Sequence, residues 1–322
     1  MIISKTPLRI SFAGGGTDID SYYKTGYGAV VSAAINKHVY VTVHRRFDNS
    51  LRVGYTKTEI VNHADELEHD IVKACLEMVG IDNGVEITSI GEVPAGTGMG
   101  SSGALTVGLL NALYSHVGKR LSSYELMEKA CQIEIDILKQ PIGKQDQAAA
   151  AFGGLNYFKF RADGSVGQER IELSQEDFKK LESRLLVFYT GQTHSAGAIL
   201  REQKSSTGSH LKTMDEMRDQ ADQLKEKLMK DGFGAYFGGM LQQAWERKKL
   251  LSSGISNLEI NRMYDSGIQA GALGGKLLGA GGGGFLLFYC EEDKQEQLRK
   301  ALGLQQLYFR VARYGSRVVY FE

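Results

Sequence analysis

Pro94-Ala-Gly-Thr-Gly-Met-Gly-Ser-Ser-Gly-Ala104 is the stretch on which the reading of this chain turns. Four of the eight residues from Gly96 to Gly103 are glycine, two hydroxyls sit among them, and the apolar run Leu105 to Val117 comes directly after. Upstream, Val85-Glu-Ile-Thr-Ser-Ile90 alternates apolar and polar side chains, the period-two pattern of a half-buried strand. The glycines therefore sit on a strand-to-helix turn. Without Cβ atoms, backbone N–H groups there can converge on an anion, and the helix start adds the positive end of its dipole. Phosphate is the anion that such loops most often hold, so the chain is expected to handle a nucleotide. A turn that merely reverses the chain is the plainer alternative in a sequence with 39 glycines.

Two common owners of such loops fit poorly. A Walker loop places a lysine after its last glycine, and this loop has none. Gly98-Met-Gly100-Ser-Ser-Gly103 spells a dinucleotide fingerprint, which also needs a second strand ending in an acid for the ribose hydroxyls. The chain continues instead into Ser122-Ser-Tyr-Glu125, a capping box that opens another helix. A dinucleotide-dependent oxidoreductase is accordingly the weaker reading.

At 322 residues two domains are expected, and 42% hydrophobic residues suffice for a sizeable core. The 38 acidic and 38 basic residues balance, which gives no support to nucleic-acid or membrane-surface binding. No apolar run reaches the ~18 residues of a membrane span, and the first residues lack the pattern of a signal peptide. Cys75, Cys131 and Cys290 are far apart, as expected of reduced core thiols in a cytoplasmic protein. His63 and His69 stand among acids but six residues apart, so this segment reads as a solvated helix start rather than a metal site.

Strands are expected at Arg9 to Phe12, Ala29 to Ile35, Val39 to Val43 and Leu51 to Tyr55, and helices at Ala64 to Gly80, Tyr124 to Leu138 and Asp146 to Phe152. The chain turns polar between Phe160 and Glu182, which suggests domains 1–180 and 181–322. Beyond that point come a strand at Arg184 to Tyr189, amphipathic helices at Leu211 to Leu228 and Leu258 to Ala272, a second glycine-rich run from Gly274 to Gly284, and closing strands at Val311 and Arg317 to Phe321. The pattern is α+β in two parts, with three glycine loops positioned to meet at one cleft.

Pro7-Leu-Arg9-Ile-Ser-Phe-Ala-Gly14-Gly-Gly-Thr17-Asp18 resembles the first motif of the GHMP small-molecule kinases. The loop at Pro94 to Ala104 resembles their second motif, and Lys276-Leu-Leu-Gly279-Ala-Gly-Gly-Gly-Gly284 their third. The three occur in family order across essentially the whole chain. The Gly-Gly-Gly-Thr-Asp form of the first motif, with Gly143-Lys-Gln-Asp146 and Phe152-Gly-Gly-Leu-Asn156, is similar to the bacterial sugar-kinase branch containing fucokinases and heptose-phosphate kinases.

The resemblance implies a ribosomal-protein-S5-like N-terminal α/β domain and a ferredoxin-like C-terminal α/β domain. It implies an ATP- and Mg2+-dependent kinase acting on the anomeric hydroxyl of a sugar or sugar phosphate. Heptose 7-phosphate is the first expectation; L-fucose or another monosaccharide, or an idle sugar sensor, are the rivals. Asp146 corresponds to the catalytic base, where the alternative is a plain helix cap. Arg9 is its expected partner, and Ser102 and Glu134 are the expected magnesium ligands. Pro94, Gly96, Thr97, Gly98, Met99, Gly100, Ser101 and Ser102 are expected to hold the nucleotide. Gly15, Gly16, Thr17, Asp18, Gly281 and Gly282 are expected at the acceptor, with Thr193-His194-Ser195 as further candidates. A homodimer is the expected assembly, with no nucleic-acid or membrane partner.

Overall fold

The computed structural model describes residues 1–192 and 196–322. Thr193, His194 and Ser195, the further acceptor candidates, lie outside the described residues. The first part runs β1 (Ile2–Ala13), α1 (Asp20–Tyr23), β2 (Tyr27–Arg45), β3 (Leu51–Gly54), β4 (Thr58–Val61), α2 (Asp70–Val79), β5 (Val85–Gly91), α3 (Ser101–His116), α4 (Ser123–Cys131), α5 (Gln145–Phe152), β6 (Leu155–Arg161) and β7 (Val166–Arg170). The second runs α6 (Gln175–Arg184), β8 (Leu185–Tyr189), α7 (Ala196–Ser205), α8 (Leu211–Asp231), α9 (Tyr236–Lys249), α10 (Leu258–Gln269), β9 (Gly274–Leu277), β10 (Phe285–Tyr289), α11 (Gln295–Leu302), β11 (Gln306–Leu307) and β12 (Arg317–Phe321).

Ala29 to Ile35 and Val39 to Val43, which read as two strands, belong to one strand of 19 residues. Its first half pairs with β6, its second half with β5, and β1 runs antiparallel along most of it. The polar interruption at Asn36 survives inside the strand because Asn36 exchanges hydrogen bonds with the backbone of Arg310. The sheet order is β12-β1-β2-β5-β3-β4, with β6 and β7 beside β2. α3, apolar on nearly every side, is buried against β1 and β2. Ser4 donates to the Gly108 carbonyl at 2.7 Å, and a Cβ on Gly108 would stand 2.6 Å from the Thr6 hydroxyl.

Four antiparallel strands in the order β11-β8-β10-β9 form the second sheet. Trp245, Tyr264 and Phe288 fill one face of it. On the other face, Leu287 and Tyr289 join the core of the first part, together with Ala221 and Leu224 of α8. The last strand departs from a simple division at residue 180. β12 returns to pair with β1, so 181–322 supplies one strand of the first sheet. No helix among the described residues is long and apolar enough to cross a membrane.

Candidate active site

Gly96, Gly98 and Gly100 have φ of 74°, 78° and 75°, the left-handed region where a side chain is costly. The residues between them turn inward. Met99 is buried, and the Thr97 hydroxyl donates to the Pro94 carbonyl at 2.8 Å. The alternation leaves Gly96, Gly98, Gly100, Ser101 and Ser102 lining a cleft at the start of α3. Of the residues expected at the nucleotide, Pro94, Thr97 and Met99 do not line this cleft; they shape the loop from behind. The third motif meets the loop backbone to backbone, because a Cβ on Gly279 would lie 2.2 Å from the Gly98 Cα. Gly279 and Ala280 thereby form part of the same wall.

Asp146 stands in the first turn of α5, and that turn packs against the first turn of α3. The contact requires Gly103, where a Cβ would come within 3.0 Å of the Asp146 Cβ and the Gln147 nitrogen. Arg9 Nε and Nη2 both approach Asp146 Oδ1 at 2.7 Å, while Nη1 donates to the Gly98 carbonyl at 2.6 Å. The Arg9 side chain is only 4% exposed and that of Asp146 28%. One guanidinium therefore fixes the carboxylate to the phosphate loop. Asp146 Oδ2 has no hydrogen-bond partner among the described residues and faces Gly100, whose Cβ would stand 3.3 Å away.

Glu134 departs from expectation. Ordinary helical spacing puts Ile133, Ile137 and Leu138 in the core and Glu134 at a cleft edge. In the structure α4 widens into a π-helical turn at Gln132–Ile137, with Leu138 N donating to the carbonyl of Ile133, five residues back. The extra residue rotates the rest of the segment: Ile137 is 47% exposed and Glu134 fully buried. Ser102 donates to Glu134 Oε1, and Gln147 Nε2 donates to Oε2 at 2.7 Å. Burial raises the carboxyl to about 7, against the lowering effect of those donors.

The first motif also divides. The Thr17 hydroxyl donates to the carbonyls of Gly14 and Ala29 and accepts from the Ala29 N–H, so Thr17 braces the turn and has no hydrogen left for a sugar. Asp18 lines the cleft and accepts from the backbone of Gly16 at 3.0 Å and Gln145 at 3.1 Å, tying this turn to α5. Its carboxyl is raised, mainly by burial. Gly16 lines the cleft, whereas Gly15 lies behind it near Ser11 and Gln145. Gly281 and Gly282 are turned away, since Gly282 N donates to the Ile255 carbonyl and a Cβ on Gly281 would strike the Ile255 Cα at 2.6 Å.

Two buried lysines escaped the sequence reading. Lys276 Nζ donates to the Phe12 carbonyl at 3.2 Å, and burial lowers it well below its usual value, helped by the charge of Lys248. Burial pushes Lys248 down to about 8, opposed by the nearby carboxylates of Asp18 and Asp146. Lys276 stood inside a quoted motif, but nothing in the sequence marks Lys248. The expected solvated segment at His63 is borne out by an exposed His63–Asp82 contact at 2.6 Å.

A glycine loop at a helix start, facing a carboxylate that an arginine holds and a buried acid–hydroxyl pair, defines a small-molecule phosphotransferase. Residues 62–154 match the GHMP kinases N terminal domain and residues 224–307 the GHMP kinases C terminal. Over 95% of its length the chain is 32% identical to a D-glycero-alpha-D-manno-heptose 7-phosphate kinase of Campylobacter jejuni, 94% of which is covered. The chain belongs to the GHMP kinase family and is an ATP-dependent phosphotransferase. It is also 29% identical to an L-fucokinase/L-fucose-1-P guanylyltransferase of Bacteroides fragilis, over 93% of this chain and 35% of that one. A crystal structure of a D-glycero-D-manno-heptose 1-phosphate kinase from Bacteroides thetaiotaomicron, 25% identical, superimposes with a TM-score of 0.83 over 100% of both chains.

Proposed function

We propose that the protein transfers the γ-phosphoryl group of ATP to the anomeric hydroxyl of a D-glycero-D-manno-heptose 7-phosphate. The observation that carries the transfer is the Arg9–Asp146 pair beside Gly100, at the reactive end of the phosphate loop. In this reading the loop amides from Gly96 to Ser102 hold the triphosphate. Asp146 Oδ2 orients the acceptor hydroxyl and takes its proton as the phosphoryl group leaves ATP. Arg9 keeps Oδ1 occupied, so one oxygen faces the acceptor, and its charge steadies the developing alkoxide. The heptose phosphate comes from the similarity to the Campylobacter jejuni enzyme. A cytoplasmic setting and a homodimer belong to the same reading.

Mg2+ fits the site. Ser102 and Glu134 offer a hydroxyl and a carboxylate beside the phosphate loop, suited to an ion that takes few protein ligands and leaves the rest to phosphates and water. Bound there, it would neutralise charge on the triphosphate. With its carboxyl raised to about 7, Glu134 must lose a proton before it can bind a cation. Ionisation grows as pH rises through that value, so magnesium half-saturation is expected to fall from pH 6 to pH 8, by up to about tenfold per unit on the acid side. Glu134→Gln is expected to abolish that dependence; an unchanged slope in this variant would remove Glu134 from the ligand set.

The acceptor is tested by ADP release over a panel of D-glycero-D-manno-heptose 7-phosphate, the free heptose, L-fucose, galactose and mevalonate. The heptose 7-phosphate is expected to give the highest kcat/KM. A higher value with L-fucose would transfer the assignment to the fucokinase reading.

A further inference from the structure

The acceptor side of the cleft is closed by α7, a helix to which no sequence motif drew notice. Gly197, Leu200 and Arg201 all line the cleft. With Lys204 they recur at i, i+3, i+4 and i+7, so they share one face of the helix. That face is clamped over the first motif. Lys204 pairs with Asp20 at 2.7 Å, and Ser21 and Thr207 share a hydrogen bond of 2.9 Å. From the far side, Ser252 donates to Glu202 at 2.7 Å, and Gln203 is buried under the Gly16 turn. α7 therefore holds Arg201 at a set place opposite the Gly16–Asp18 turn.

Most cations around this cleft are already engaged. Arg9 is bound to Asp146 and Gly98, Lys276 to Phe12, Lys144 to the Gly164 carbonyl and the Tyr23 ring, and Lys24 to Asp20. Arg201 alone among the described cleft-lining cations has no ion pair or hydrogen bond, and its side chain reaches solvent. The walls also carry the carboxyl groups of Asp18, Glu134 and Asp146. An acceptor bearing a phosphate would meet that negative field, and the field of the ATP triphosphate, with no uncommitted cation among the described lining residues except this one. A guanidinium suits the task, since its planar fork matches two phosphate oxygens at once.

We propose that Arg201 is the specificity-determining contact for the acceptor's own phosphate, gripping it at the end of the sugar remote from the hydroxyl presented to Asp146. This rests on the reading of the acceptor as a sugar phosphate. It explains how one family scaffold takes a phosphorylated acceptor without altering its three glycine motifs: the selecting charge sits on α7, outside all of them.

The test is a matched pair of acceptors, D-glycero-D-manno-heptose 7-phosphate and the free heptose, with the wild-type protein, Arg201→Gln and Arg201→Lys. The quantity read is the ratio of kcat/KM for the phosphorylated acceptor to that for the free one. It is expected to fall about 10- to 100-fold in Arg201→Gln, as for loss of a charge-assisted hydrogen-bonded contact, and to recover in part in Arg201→Lys. A purely structural role would weaken both acceptors alike, so an unchanged ratio in Arg201→Gln overturns the proposal and leaves the heptose phosphate reading standing. A wild-type protein with no preference for the phosphorylated acceptor overturns both.

Discussion

Replacing Asp146 with Asn is expected to lower kcat by about 10²–10⁴ while the KM for ATP stays within about threefold. Asn keeps the shape of the side chain and an oxygen for Arg9 but cannot accept the acceptor's proton. The kcat–KM split matters because Arg9 ties two things together, holding Asp146 Oδ1 with one edge and the Gly98 carbonyl with the other. If the substitution acted by loosening Arg9, the phosphate loop would shift and the KM for ATP would rise with the fall in kcat. Initial-rate measurements over both substrates separate the two, and turnover near the wild-type rate would end the assignment of Asp146 as base.

Gly279→Ala is expected to cost about 2–5 kcal/mol of folding stability and to raise the KM for ATP at least about tenfold. Two penalties combine. Gly279 has φ of 77°, and its added Cβ would stand 2.2 Å from the Gly98 Cα and 2.8 Å from the Gly98 carbonyl oxygen. Both obstacles are backbone, so no side-chain rotation relieves them, and the second and third motifs must part. Gly303→Ala is the control: its φ is 59°, but nothing lies within 4 Å of the added atom. That variant is expected to lose only about 1–2 kcal/mol, the cost of the left-handed conformation by itself. Thermal unfolding of the pair, with ATP kinetics, isolates the contact; equal losses in the two would show that the loops yield freely.

The parts of the site legible in the sequence are those that spacing fixes. Alternate glycines between an alternating strand and an apolar helix require the phosphate loop, and Ser122 and Glu125 form the capping box at α4. The site's other residues depended on resemblance, because neighbours in the cleft are far apart in the chain: Arg9 and Asp146 are 137 positions from one another. Motif membership also overstated contact. Thr17, Gly281 and Gly282 spend their polar groups or their space on Ala29 and Ile255, a choice decided by tertiary packing that no local pattern records. β12 was readable as a strand, but its partner was not, since pairing with β1 joins opposite ends of the sequence. Lys248 was invisible for a different reason. A lysine on an amphipathic helix ordinarily faces water, and only the closure of α9 over the Asp18 side of the cleft buries it.

The widened turn at Gln132–Ile137 has a consequence for how such chains diverge. A π-helical turn amounts to one residue inserted into a helix. The depth of Glu134, its meeting with Ser102 and Gln147, and the outward swing of Ile137 all stem from that surplus residue. Loss of one codon in this segment would leave all three glycine motifs, Arg9 and Asp146 untouched, yet restore an ordinary helix and re-aim the side chains beyond the deletion. A lineage could thus lose or regain this carboxylate's hold on the site through a change of length, and a survey of motif letters alone would count both forms as intact.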